Sequence, residues 1–261
     1  MAQIAKDVTT RITRERKQIS MSEMPENWEG KQKILVILAH PDDPEFFCGA
    51  TIRRWTQMGH EVRYCLLTRG DKGSNDPATR SFDLAVLREQ EQKAAAHEVG
   101  VEAVRFLDYE DGCLVPTMET RKRVTRIIRE ERPDIVVSCD PTNMFPNEAS
   151  INHPDHRAAG QIVVDAIFPA TGNVMYFPEL LLEGLEPHSV KEVWLSVTSQ
   201  PNVVIDVTAT WEDKIRALEQ HRSQIGEPAK LEERMRSRRA ADSTPEAPRY
   251  EEKFRRFVFA R

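Results

Sequence analysis

Short apolar runs recur along an otherwise polar chain. KILVILA (33–39), EVRYCLLT (61–68), VEAVRFL (101–107) and DIVVSC (134–139) are rich in Ile, Leu and Val. KILVILA and DIVVSC are nearly continuous in apolar character and read as buried parallel strands, and EVRYCLLT and VEAVRFL as two further strands. Between them the apolar positions fall at helical spacing. ATIRRWTQM (50–58) ends on Gly59, residues 80–99 end on Gly100, and residues 117–131 form a third amphipathic stretch. HPDHRAAGQIVVDAIF (153–168) and WEDKIRALEQHRSQ (211–224) add two more helices, and residues 191–197 and 202–207 two more strands. Strands alternating with helices predict an α/β chain, Rossmann-like, with a mostly parallel sheet and helices on both faces.

This pattern divides the chain into an N-terminal arm (1–32), a main domain (33–226) and a charged, partly helical C-terminal extension lying on the surface (227–261). Trp28 is expected to tack the arm onto the body. Three polar loops, 40–48, 69–76 and 140–156, all follow expected strands, where open α/β sheets bind ligands. The basic run RMRSRR (234–239) reads as a solvated helix face, with a subunit interface as the alternative.

With 39% hydrophobic and 30% charged residues, the composition is that of an ordinary globular protein. A formal net charge of -5 argues against nucleic acid as a partner, since phosphate binding favours a basic face. No apolar run approaches the length of a membrane span, and the polar N-terminus has no signal-peptide core. The cysteines Cys48, Cys65, Cys113 and Cys139 form no CxxC pair, so reduced thiols and a cytoplasmic location are expected. Homo-oligomerisation is left open.

The chemistry concentrates in two motifs. His40-Pro41-Asp42-Asp43 follows the first strand, and His153-Pro154-Asp155-His156 opens a helix after the fourth. Two imidazoles and a carboxylate make a common catalytic zinc set with one position open to water. A further carboxylate beside the metal can act as general base. In an extended loop Asp42 and Asp43 would point in different directions and could divide these duties. Zn2+ is the expected cofactor; Fe2+ suits the same donors and would imply oxygen chemistry.

AHPDDPEFFCGATI (39–52), TRGDKGSND (68–76), LREQEQKAAAHEVGV (87–101) and INHPDHRAAG (151–160) resemble the PIG-L or LmbE-like family of zinc-dependent N-deacetylases of N-acetylglucosamine-type sugars. The motifs occur in the family's order, and the resemblance runs from about Pro25 to Gln224. It implies zinc ligands at His40, Asp43 and His156, and a general base at Asp42. It places His153 on the tetrahedral oxyanion, with Asp155 orienting that histidine. Arg88 matches the family's sugar-binding arginine, and Asp111, with Asp108 as rival, a carboxylate for sugar hydroxyls. Arg69 is expected to line the pocket. Two positions depart from the pattern: Pro44 replaces Glu or Ala, and Ile151 stands where some members place a tyrosine.

The substrate class implied is an acetylated amino sugar or its conjugate. Amide hydrolysis of a sugar–thiol conjugate and non-catalytic sugar binding are the alternatives. Among the remaining residues, Glu45 reads as a carboxylate on the surface or supporting the motif, with a second acid as the alternative, Cys48 as a buried helix-start residue, and His60 and His97 as helix-end residues. His221 matches a recurrent position of the family.

Overall fold

The computed structural model describes residues 25–259. The expected N-terminal arm lies, up to residue 24, outside the described residues. Contacts divide the chain into two units, residues 1–30 and 31–261. In the first, Pro25–Gly30 forms a turn, with the Trp28 N–H donating to the Glu26 carbonyl at 2.8 Å.

The second unit is built on a seven-stranded sheet. In chain order its elements are β1 (Lys33–Leu38), α1 (Asp43–Gln57), β2 (Glu61–Thr68), α2 (Ser81–Glu98), β3 (Ala103–Tyr109), α3 (Met118–Glu131), β4 (Ile135–Cys139) and α4 (Pro154–Asp165). Then follow α5 (Pro178–Leu182), β5 (Glu192–Ser196), β6 (Val203–Asp206), α6 (Trp211–Leu218), α7 (Arg222–Ile225), α8 (Pro228–Arg236) and β7 (Glu251–Val258). The strand order is β3-β2-β1-β4-β5-β7-β6. β1 to β5 run parallel, and β7 pairs antiparallel with both β5 and β6.

Alternation along the strands assigns the two faces. Leu35 and Ile37 of β1, Cys65 and Leu67 of β2 and Val136 of β4 pack with Val124 and Ile128 of α3 and Ile162 of α4 in one core cluster. On the opposite parity, Trp194 of β5 meets Trp55 of α1 at a ring distance of 5.3 Å and Phe254 of β7 at 5.4 Å. Helices therefore cover both faces.

Residues 251–258, expected to lie in a surface extension, instead form β7 inside the sheet. Their charge misled the pattern: EEKFRRF alternates, and its apolar member Phe254 is fully buried. Glu252 is buried as well, and its carboxylate accepts from the Ala50 and Thr51 N–H groups of α1 and from Lys214 Nζ. These N–H groups follow Cys48, which departs from helical angles (φ -150, ψ 18) and kinks α1. Lys214 Nζ also bonds the Phe46 carbonyl at 2.9 Å. A buried Lys–Glu pair thus fixes the bend of α1, the helix whose first residue is Asp43.

The sheet reverses its order at β1. The chain leaves β1 toward β2 on one side, and β4 lies on the other, so a crevice opens above the carboxyl ends of β1 and β4. The HPDD and HPDH motifs both follow these two strands. α4 sits tightly over the end of β4 because Gly160 has no side chain. A Cβ there would meet the Cys139 carbonyl oxygen at 2.3 Å and the Pro141 nitrogen at 3.0 Å.

Gly160→Ala should therefore destabilise the protein by about 1–3 kcal/mol, because the opposing atoms are backbone and cannot yield. Thermal unfolding checks this. Gly172→Ala, whose Cβ would meet a Ser189 hydroxyl at 3.2 Å and the His188 carbonyl oxygen at an ordinary 3.9 Å, should lower the Tm less.

Candidate metal centre

The structure sharpens the HPDD motif. The expected extended loop over 40–48 ends at Asp42, because Asp43 is already the first residue of α1. Pro44 fits there, since the first turn of a helix needs no N–H from it. Asp42 takes the N-cap position with φ 87 and ψ -27, a left-handed conformation costly for a residue with a side chain. This backbone turn separates the two neighbouring carboxylates.

Asp43 reaches both histidines. Its Oδ2 lies 3.3 Å from His40 Nδ1, and its Oδ1 lies 3.0 Å from His156 Nε2. Donors held ~2.1 Å from one tetrahedral ion stand ~3.4 Å apart, and each of these two separations, made by a different Asp43 oxygen, is near that value. The far nitrogen of each ring has an acceptor. His40 Nε2 faces Asp111 Oδ1 at 3.2 Å and Asp155 Oδ2 at 3.3 Å, and His156 Nδ1 faces Asn152 Oδ1 at 3.0 Å. Such partners leave the lone pairs of His40 Nδ1 and His156 Nε2 directed toward Asp43, an arrangement common among metal-ligating histidines.

Two other donor sets share His40. Ring nitrogens of His40, His153 and His156 lie within 4.8 Å of one another, as do donors of His40, Asp111 and Asp155. In the second set one of the two carboxylates already has work. Asp155 accepts the Gly112 N–H at 2.7 Å and the Leu114 N–H at 3.2 Å. Asp155 is expected to orient His153. The structure turns its carboxylate to His40, and it is the Asp155 N–H that bonds His153 Nδ1, at 3.2 Å.

The charges fit a cation. Burial opposes charge on His40, yet Asp43, Asp111 and Asp155 raise its pKa well above the histidine range. Burial resists ionisation of Asp43, but His156 and His40 hold it far below the carboxylate range. Asp111 and Asp155 are also lowered, against burial, by contact with His40. His153 is lowered by burial and by its neighbours His40 and His156, which keeps it neutral. Burial and the adjacent Asp43 push Asp42 up to about 6, although Arg88 and other cationic neighbours oppose this. A divalent ion would meet this surplus of buried carboxylates.

Arg88 is only 4% exposed. Its Nη2 donates to the Pro41 carbonyl at 2.7 Å and to Asp42 Oδ2 at 3.3 Å, and its Nη1 donates to the Gly70 carbonyl at 2.9 Å. It therefore clamps the Asp42 loop as well as facing the cleft. Arg69 is not brought to the cluster. It pairs with Glu89 and Asp108 and lines a separate cavity with Phe82 and Tyr109. Asn152 lies inside the INHPDHRAAG motif, four residues before His156, but the sequence alone assigns it no role.

These groups line an open cleft of about 460 Å³, walled by Phe46, Phe47, Lys72 and Gly73. A larger cavity of about 770 Å³ lies elsewhere, lined by Phe168 and Phe259 among others, and no carboxylate of the described residues lines it. The convergence of titratable groups, rather than volume, marks the smaller cleft as the site. No helix among the described residues is long and apolar enough to cross a membrane.

Comparison with known proteins gives the family and the fold. The family model described as "PIG-L: GlcNAc-PI de-N-acetylase" matches residues 35–167. The diacetylchitobiose deacetylase of Thermococcus kodakarensis is 39% identical over 196 residues, 75% of this chain and 71% of the relative. The solved N,N'-diacetylchitobiose deacetylase of Pyrococcus horikoshii superposes with a TM-score of 0.80 at 30% identity, covering 96% of this chain and 92% of that one. GalB, the 4-carboxy-2-hydroxymuconate hydratase of Pseudomonas putida, shares the fold at 20% identity and a TM-score of 0.70, covering 88% and 97%. The fold alone therefore does not choose the reaction.

Asn152→Ala should weaken divalent-metal binding about 10–100-fold with little effect on the fold, because it frees the His156 ring. Equilibrium dialysis against a metal buffer checks this, and unchanged affinity would contradict the role given to Asn152.

Proposed function

The chain belongs to the PIG-L family, and from that premise we propose that it is a zinc-dependent hydrolase that removes the N-acetyl group from an N-acetylglucosamine-type sugar or conjugate. The observation that carries this reading is the division of labour between two adjacent carboxylates. Asp43 sits between two imidazoles, while Asp42, turned by its left-handed backbone, lines the same cleft under Arg88.

In this reading His40 Nδ1, Asp43 and His156 Nε2 hold the metal. A bound divalent cation lowers the pKa of a water and polarises the acetyl carbonyl. Asp42 takes a proton from the attacking water, and Arg88 keeps its carboxylate aimed at the cleft. His153 accepts the Asp155 N–H at Nδ1, so its neutral ring carries the proton on Nε2 and can donate to the oxyanion. The C–N bond then breaks, and the proton held by Asp42 passes to the leaving amine. One water and one amide give acetate and a free amino sugar.

Substrate binding is assigned to the cleft walls. Phe46 and Phe47 offer apolar faces to a sugar ring, while Asp111 and Arg88 offer polar contacts. Arg69, bound to Glu89 and Asp108 in another cavity, has no part in this account. Fe2+ is the alternative metal for the same donors. A cytoplasmic setting is supported by the free thiols of Cys48, Cys65, Cys113 and Cys139.

The zinc-loaded protein should release acetate from N,N'-diacetylchitobiose or N-acetylglucosamine. Asp42→Asn should lower kcat by about 10³-fold, within the range attributed to a general base, while bound zinc stays near stoichiometric. A fully active Asp42→Asn protein would rule out this mechanism.

A further inference from the structure

Behind the cleft runs a chain of fully buried polar groups that the reaction does not touch. Glu45, Gln92 and His221 each have 0% exposure, and they come from α1, α2 and the turn before α7. Gln92 Oε1 accepts the Asp42 N–H at 2.8 Å. The Gln92 amide nitrogen lies 3.1 Å from both carboxylate oxygens of Glu45, and His221 Nε2 lies 3.0 Å from Glu45 Oε2. The carboxylate thus fixes which end of the Gln92 amide faces Asp42, since only the NH2 end can donate to Glu45.

The placement of this chain answers a question raised by the backbone. Asp42 stands at φ 87 without being a glycine, and such a conformation persists only where its surroundings over-determine it. Arg88 holds the Asp42 carboxylate and the preceding carbonyl, but neither bond reaches the Asp42 N–H. That group points inward and depends on Gln92. Both polar ends of Gln92 and both carboxylate oxygens of Glu45 are bonded, whereas His221 Nδ1 has no partner, so the rigidity of the chain rests on Gln92 and Glu45.

We propose that Gln92, locked by Glu45 and His221, is a positioning residue that holds Asp42 in its left-handed turn and so aims the general base. The proposal rests on the assignment of Asp42 as that base. Gln92 touches neither substrate nor metal donors; it acts through the peptide of Asp42.

Gln92→Met keeps the volume but cannot bond the Asp42 N–H. Its kcat for acetate release from N,N'-diacetylchitobiose should fall about 10–100-fold, with KM and bound zinc within about twofold of the parent, as expected for a misaimed group. Its crystal structure should show Asp42 outside the left-handed region, with His40, Asp43 and His156 in place. Parental kcat, or Asp42 still near φ 87, overturns the proposal. So does a joint loss of zinc and rise in KM, the sign of general loosening. The structural readout needs no turnover: if the parent protein releases no acetate from N,N'-diacetylchitobiose, that substrate is refuted and the Asp42 geometry still decides the role of Gln92. If Gln92→Met does not fold, Gln92→Asn, which withdraws the amide by one methylene, is judged by the same measurements and the same outcomes.

Discussion

The site depends on one carboxylate reaching two rings that arrive from different strands. Asp43 is delivered by the end of β1 and the first turn of α1; His156 is delivered by the loop after β4 and the first turn of α4. They meet because β1 and β4 are neighbours at the point where the sheet reverses its order. Features far from the chemistry serve this meeting. The kink at Cys48, held by Glu252 and Lys214, sets the direction of α1. The bare backbone of Gly160 lets α4 settle onto β4.

Electrostatics explains why so many acids crowd one histidine. His40 presents one nitrogen to Asp43 and the other to Asp111 and Asp155. With a proton on each nitrogen it is an imidazolium among carboxylates, which is why its pKa rises despite burial. A divalent ion on the Nδ1 side would take over that charge, leaving Nε2–H to the two acids. The cluster thus holds a positive centre by proton or by metal, and the family relationship favours the metal.

Much of this was legible in the sequence, for identifiable reasons. The parallel core appeared as apolar runs, and His40, Asp43, His153 and His156 appeared as spaced motifs at strand ends. What escaped was what spacing cannot encode. β7 was hidden because its Glu252 and Arg256 are charged residues in a sheet, satisfied by Lys214 and Glu192 through partners distant in sequence. The partners Asn152, Gln92, Glu45 and His221 belong to no motif that names their contacts, and only folding brings them together. Arg69 shows the reverse error: it follows the right strand, but the side chain turns away to Glu89 and Asp108. Asp155 lay in the right motif, with its carboxylate aimed at a different histidine.

The central claim is that the metal lies on the Asp43 side of His40. Anomalous diffraction from crystals of the zinc-loaded protein measures this directly. The account predicts one strong peak within ~2.0–2.3 Å of His40 Nδ1, an Asp43 oxygen and His156 Nε2. A peak bound instead by His40 Nε2, Asp111 and Asp155 would contradict it.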